Sequence, residues 1–200
     1  MSQLLFLDCS PFGVNALGPQ QVLAALGDRE GLRIASRSLA QEPLPPISAH
    51  YAQALTAAAP GSDPAFALSE HLIAELEACD ALLISTPMYN CTVPASLKLW
   101  LDYVVRNGRS FHSTPQGKKS LLRDRPALVL VRSGSAVAGE DAWQPDFLTP
   151  YLRFALSLLG MQQLQFVYLP GWPLAADRLE PAQQALLAWL GSFSLTGACS

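Results

Sequence analysis

Met88, Tyr89, Asn90 and Cys91 are the side chains of this sequence best placed to meet a ligand. They follow the apolar run Ala81-Leu82-Leu83-Ile84 and the segment Ser85-Thr86-Pro87, and they precede a stretch with helical apolar spacing. Met88 and Tyr89 offer polarizable and flat apolar contact, while Asn90 carries both a donor and an acceptor. Amides of a loop that has left its strand have no ladder partner, so they are expected to face a planar, acceptor-rich molecule. The plain alternative is an ordinary strand-to-helix turn. A second candidate is Asp8-Cys9-Ser10-Pro11-Phe12-Gly13-Val14-Asn15-Ala16-Leu17-Gly18, which leads into Pro19 at a helix start. A loop that ends at a helix N-terminus presents free N–H groups and a favourable dipole to an anion. Gly13 and Gly18 would let a ligand approach the backbone closely. Neither a Walker loop nor a Gly-x-Gly-x-x-Gly spacing is present. A third loop, Arg132-Ser133-Gly134-Ser135, follows another apolar run.

The elements that must position these loops are legible as alternating strands and helices. Strands are expected at 4–7, 32–39, 81–84, 127–131 and 164–169, the second at an edge of the sheet. Helices are expected at 19–26, 47–59, 64–78, 93–106, 149–159 and 179–190. Ser62 or Asp63, Thr92 and Thr149 are the expected caps, and Gly108 and Gly160 the expected stops. Residues 111–124 and 136–144 read as polar, exposed connections. Such alternation gives a doubly wound parallel sheet with helices on both faces. Five strands favour the order 2-1-3-4-5, whose switch point lies between the first and third strands. The anion-ready loop and the flat-contact loop leave those two strands, so both should flank one crevice. A phosphate joined to a flat heteroaromatic ring, as in FMN, suits that layout.

Composition narrows the choice of partners. The 200 residues are 50% hydrophobic and 14% charged, with a formal net charge of −3. That balance and the absence of a basic run argue against a nucleic-acid partner. The low charge leaves apolar surface to be covered by a second copy of the chain. Residues 1–7 have no basic region and meet Asp8 at once, so no secretory signal is expected. No apolar run reaches the ~18 residues a membrane span needs. Cys9, Cys79, Cys91 and Cys199 show no metal spacing and no Cys-x-x-Cys, which points to reduced thiols in the cytoplasm. A hydrolase lacks support, because there is no Gly-x-Ser-x-Gly elbow.

Pro87-Met88-Tyr89-Asn90, with Pro94-Ala95-Ser96-Leu97-Lys98, Asp102 and Gly108-Arg109-Ser110-Phe111, resembles the FMN-dependent NADH-azoreductase family of quinone oxidoreductases. Ser10-Pro11-x-Gly13 and Thr149-Pro150-Tyr151-Leu152-Arg153 with Gly160 agree with it, and the resemblance covers nearly the whole chain. It implies a single flavodoxin-like domain over residues 1–200, a homodimer and non-covalent FMN. It also implies two-electron transfer from NADH or NADPH to quinones and azo dyes with ping-pong kinetics. Ser10 and the amides of Ala16, Leu17 and Gly18 would hold the phosphate. Pro87, Met88, Tyr89 and Asn90, with Cys91 beside them, would line the ring edge. Arg132, Ser133, Gly134 and Ser135 would close on its pyrimidine side. Phe111, His112 and Trp172 are candidates for the substrate pocket; no catalytic side chain or metal is required.

Three departures from the family pattern stand out. Ala16 and Gly18 occupy positions where two serines are usual, so weaker FMN binding is expected, and Gly18→Ser is expected to tighten it. Cys91 replaces a bulky aromatic. The usual Ser-Arg-Gly-Gly loop is rearranged to Arg132-Ser133-Gly134-Ser135. A one-electron carrier of the same fold is a second reading, disfavoured by the weak charge. A flavin-free binding or scaffold dimer is a third.

Overall fold

The computed structural model describes residues 2–27, 31–137, 142–169 and 179–196. Its sheet contains five parallel strands: β1 (Ser2–Asp8), β2 (Leu32–Ser38), β3 (Ala81–Pro87), β6 (Ala127–Arg132) and β7 (Leu164–Leu169). Their order is β2-β1-β3-β6-β7. Counting only these strands, the order is the expected one. The numbers shift because a hairpin, β4 (Phe111–Thr114) with β5 (Gly117–Ser120), intervenes in the chain. That hairpin corrects the expectation of an irregular polar loop at 111–124. Its strands carry His112, Lys118 and Lys119, which have no apolar alternation to announce them.

Strand alternation divides the core into two layers. Leu5, Leu7, Leu82, Ile84, Val129 and Val131 face α3 (Ala67–Ala78), α4 (Ala95–Val104) and α5 (Leu148–Ser157). Leu4, Phe6, Leu83, Leu128 and Leu130 face α1 (Leu17–Leu26) and α6 (Glu180–Thr196). Both faces of the central strands are thus covered, which is why those strands read as continuous apolar runs. A further short helix, α2 (Ala49–Thr56), lies within the expected 47–59 and is capped by Ser48, whose hydroxyl accepts from the Tyr51 amide.

Several element ends differ from the sequence-based expectation. β3 runs on through Ser85 and Thr86 to Pro87, which pairs with Arg132 at the end of the ladder. α1 starts at Leu17, two residues before Pro19. A 3-10 turn, Pro64–Phe66, precedes α3, and the Asp63 side chain accepts from the Ala65 amide. α4 is shorter than 93–106, and Thr92 does not cap it; Pro94 holds that position without a side-chain bond. Arg106 therefore lies past the helix. It is buried, bonded to Ser69 and ion-paired with Glu70, which ties α3 to the end of α4. Thr149 is not a cap either, since its amide donates to the Asp146 carboxylate. The last helix extends past 190 to Thr196.

Candidate functional site

The carboxyl ends of β1 and β3 lie side by side, Asp8 in register with Ser85, and Pro87 stands opposite Arg132 on β6. Three loops therefore leave the sheet together. A cleft of about 400 Å³ opens among them, within the ~300–1,000 Å³ usual for small-molecule sites. The first loop contributes Ser10, Ala16, Leu17 and Gly18; the second, Pro87, Met88 and Tyr89; the third, Arg132, Ser133 and Gly134. The crevice expected between the first and third strands is present.

The first loop pairs most of its amides before it reaches α1. Ser10 N–H donates to Asp8, Phe12 N–H to Ser10 Oγ, Gly13 N–H to the Ser10 carbonyl, and Asn15 N–H to the Phe12 carbonyl. The Ala16 amide donates to the Gly13 carbonyl at 3.0 Å, so it is not a free donor as the sequence suggested. Leu17 and Gly18 open α1, and their amides have no hydrogen-bond partner among the described residues. No side chain caps the helix. A pair of unpaired N–H groups at a helix N-terminus is a site for negative charge. Ser10 Oγ accepts from Phe12 and keeps its own proton to donate. Burial pushes the Asp8 carboxyl above the usual carboxylate range, while the Ser10 amide pulls the other way.

The second loop is built differently. Met88 N–H donates to the Arg132 carbonyl at 2.8 Å, and Tyr89 and Thr92 exchange both backbone bonds at 3.0 Å. Asn90 and Cys91 form the two-residue turn between them, with φ of +49° and +67°. Two consecutive left-handed residues are what a tight hairpin turn of the primed type requires. Asn tolerates that conformation; Cys91 pays for its Cβ. The expectation that this loop's amides stay free is therefore corrected: those of Met88, Tyr89 and Thr92 are paired. Asn90 and Cys91 do not border the cleft. A neighbouring segment braces the turn: Phe147 N–H donates to the Cys91 carbonyl at 3.0 Å, and Gln144 Nε2 reaches Met88 Sδ at 3.8 Å. Pro87, Met88 and Tyr89 form an apolar shelf along the cleft, with Met88 buried and Tyr89 46% exposed.

Among the described residues Arg132 is the one charged side chain lining the cleft; no carboxylate pairs with it there, and its Nη1 donates to the Ser133 carbonyl at 3.4 Å. Partial burial lowers its pKa from the ordinary arginine value, but a guanidinium remains cationic at neutral pH. Ser135 does not border the cleft. Neither do Phe111 and His112, which lie on the β4–β5 hairpin, Phe111 under Lys118 and His112 opposite Lys119. Trp172 lies outside the described residues. Sequence reasoning did not single out Phe12, Asn15, Pro19, Ser85 and Thr86, which also line the cleft. Ser85 and Thr86 were read as the end of a strand, and only the sheet's extension to Pro87 brings them to its rim. Among the described residues no His, Cys, Asp and Glu cluster could hold a metal ion, and no helix is long and apolar enough to cross a membrane.

Comparison with known proteins agrees with this geometry. The family model described as flavodoxin-like fold matches residues 2–192. A protein of Burkholderia lata named FMN-dependent NADH:quinone oxidoreductase 5 is 52% identical over 197 residues, which cover 94% of this chain and 97% of that protein. A Cupriavidus pinatubonensis protein named FMN-dependent NADH:quinone oxidoreductase 2 is 41% identical across 99% of this chain and all of its own length. Among solved structures, the FMN-dependent NADH-azoreductase of Bacillus anthracis in complex with FMN superposes with a TM-score of 0.79 at 18% identity, covering 98% of this chain and 99% of that one. At that identity the likeness speaks to the fold. The chain belongs to the flavodoxin-like family that includes these quinone oxidoreductases.

Proposed function

We propose that this protein is an FMN-dependent oxidoreductase that carries two electrons from NADH or NADPH to quinones and azo compounds. The observation that carries the reading is the single cleft that joins an unpaired helix N-terminus to an apolar shelf. The name of the 52%-identical relative supports it. The residues present fit the cofactor. The Leu17 and Gly18 amides and the Ser10 hydroxyl would receive the phosphate, and Pro87, Met88 and Tyr89 would carry the ring. Bound there, FMN would supply the two-electron chemistry.

The chain's own part is placement and electrostatics. The turn at 89–92 fixes the shelf by pairing its own backbone, so the ring-bearing surface is set before a ligand arrives. Arg132 keeps a positive charge in the cleft, which favours anionic ligands and any negative charge that develops there. The exposed side of Tyr89 leaves one open face, which donor and acceptor would occupy in turn. Ping-pong kinetics follow from that sharing. A flavin-free scaffold gives no reason to leave two helix-start amides open, and an arginine without a carboxylate, in one cleft.

The whole chain acts as one flavodoxin-like domain in this reading, supported by the family match over residues 2–192. A homodimer is part of the same proposal. Trp143, Phe147 and Phe154 are 76%, 62% and 58% exposed, an apolar burden that a second copy would cover. A cytoplasmic location is supported by the free thiols of Cys9, Cys79 and Cys91, the state kept by a reducing compartment. The test is NADH oxidation by purified protein with a quinone acceptor, with and without added FMN. The proposal expects FMN-dependent turnover with parallel double-reciprocal lines when both substrates are varied. No turnover at saturating FMN with either nicotinamide would overturn it.

A further inference from the structure

We propose that Ser85, on β3, donates a hydrogen bond to the phosphate held at the start of α1; this role rests on the FMN reading above. Gly18 leaves the room for that hydroxyl. A Cβ built on Gly18 would lie 2.2 Å from Ser85 Oγ and 3.5 Å from Ser85 Cβ. The Ser85 hydroxyl thus fills the space that a side chain at position 18 would need, directly against the first turn of α1. Gly18 is not merely a lost serine; it is the residue that lets a hydroxyl from the neighbouring strand reach the helix N-terminus.

Three further observations aim that hydroxyl at a ligand. Ser85 is only 3% exposed, yet it lines the cleft. Its Oγ makes no hydrogen bond to another described residue, and it is not sealed in the core but open to the cleft. Its backbone is fixed on both sides: it pairs in register with Asp8, and its carbonyl accepts from the Cys9 amide at 2.9 Å. A donor mounted on a central strand is held more rigidly than one on a loop. The hydroxyl, the two free amides of Leu17 and Gly18 and the Ser10 hydroxyl then form one donor set around a single anion. The α1 dipole adds to it.

The test compares FMN with riboflavin, which lacks the phosphate, by flavin fluorescence titration of the wild-type protein and Ser85→Ala. Ser85→Ala is expected to raise the FMN dissociation constant about ten- to a hundredfold and to leave riboflavin binding unchanged. The double variant Gly18→Ser/Ser85→Ala, with the clash removed and a hydroxyl returned from the helix side, is expected to recover FMN affinity. An unchanged FMN constant in Ser85→Ala would overturn the proposal, as would equal losses for the two flavins, which would mark a packing role. A wild-type protein that binds neither flavin would overturn the FMN reading itself.

Discussion

Two loops leave neighbouring strands of this sheet and border one cleft, and they are made in opposite ways. The loop after β1 pairs most of its amides internally up to Ala16 and then leaves the Leu17 and Gly18 amides open at the start of α1. The loop after β3 closes on itself, with Tyr89 and Thr92 exchanging both bonds and Met88 tied to Arg132. The first offers donors; the second offers shape. A charged group is recognised by amides left unpaired at a helix end, where the dipole helps. A flat apolar group needs only a surface that does not move, and pairing the backbone is how a short loop becomes rigid. The comparison assigns specificity for the anion to one side and the planar platform to the other.

The largest effect should come from removing a donor while leaving the fold alone. Leu17 is the first residue of α1, and Ala16 before it is extended at φ −76° and ψ 149°. Proline suits both conditions. Leu17→Pro should therefore weaken FMN binding about tenfold or more without lowering the melting temperature of the flavin-free protein by more than about 2 °C. Unchanged FMN affinity would show that the donor loop is not the anion site. Gly18→Ser tests the same loop by overpacking. The sequence suggested that it would tighten FMN binding. The 2.2 Å approach of Ser85 Oγ predicts the reverse, a loss of about 1–3 kcal/mol, read as a weaker dissociation constant. A tighter one would mean that Ser85 yields freely.

The shape-giving loop predicts changes in stability. Burial alone would raise the Asp146 carboxyl, but bonds from Thr149 and Tyr168 together leave it below the usual carboxylate range. A depressed folded pKa gives stability that is present above the unfolded value, about 3.9, and lost as pH falls through the folded one. Asp146→Asn should cost about 1 kcal/mol at neutral pH and flatten the acid limb of a stability–pH curve measured by urea unfolding. Because Phe147 beside it donates to the Cys91 carbonyl, the loss should also loosen the turn, seen as faster amide exchange at 89–92. The smallest effect should be a gain. Cys91→Gly removes a left-handed Cβ and should stabilise the protein by about 0.5–1 kcal/mol net of glycine's extra chain entropy. A loss of stability would show that the Cys91 side chain carries packing that outweighs its backbone strain.

The same contrast explains what the sequence revealed. The strand tips were legible because Leu4 to Leu7, Ala81 to Ile84 and Ala127 to Val131 are buried on both faces and read as unbroken apolar runs. The order of those strands placed the crevice. The interior of the second loop was not legible, because Asn-Cys lacks the glycine that announces a primed turn. The β4–β5 hairpin was hidden by its polar strands, where His112 and Lys119 face each other. Ser85 was missed because a serine before Thr-Pro looks like a strand end. Its meaning depends on Gly18, 67 positions away in the sequence, which only the packing of α1 on β3 brings beside it.

The central claim is that these two loops form one receptacle for a flavin with a phosphate. An FMN titration of the purified protein, followed through the visible spectrum and flavin fluorescence, tests it most directly. The account predicts a perturbed flavin spectrum that saturates at one FMN per chain. A free-flavin spectrum at every FMN concentration would contradict it.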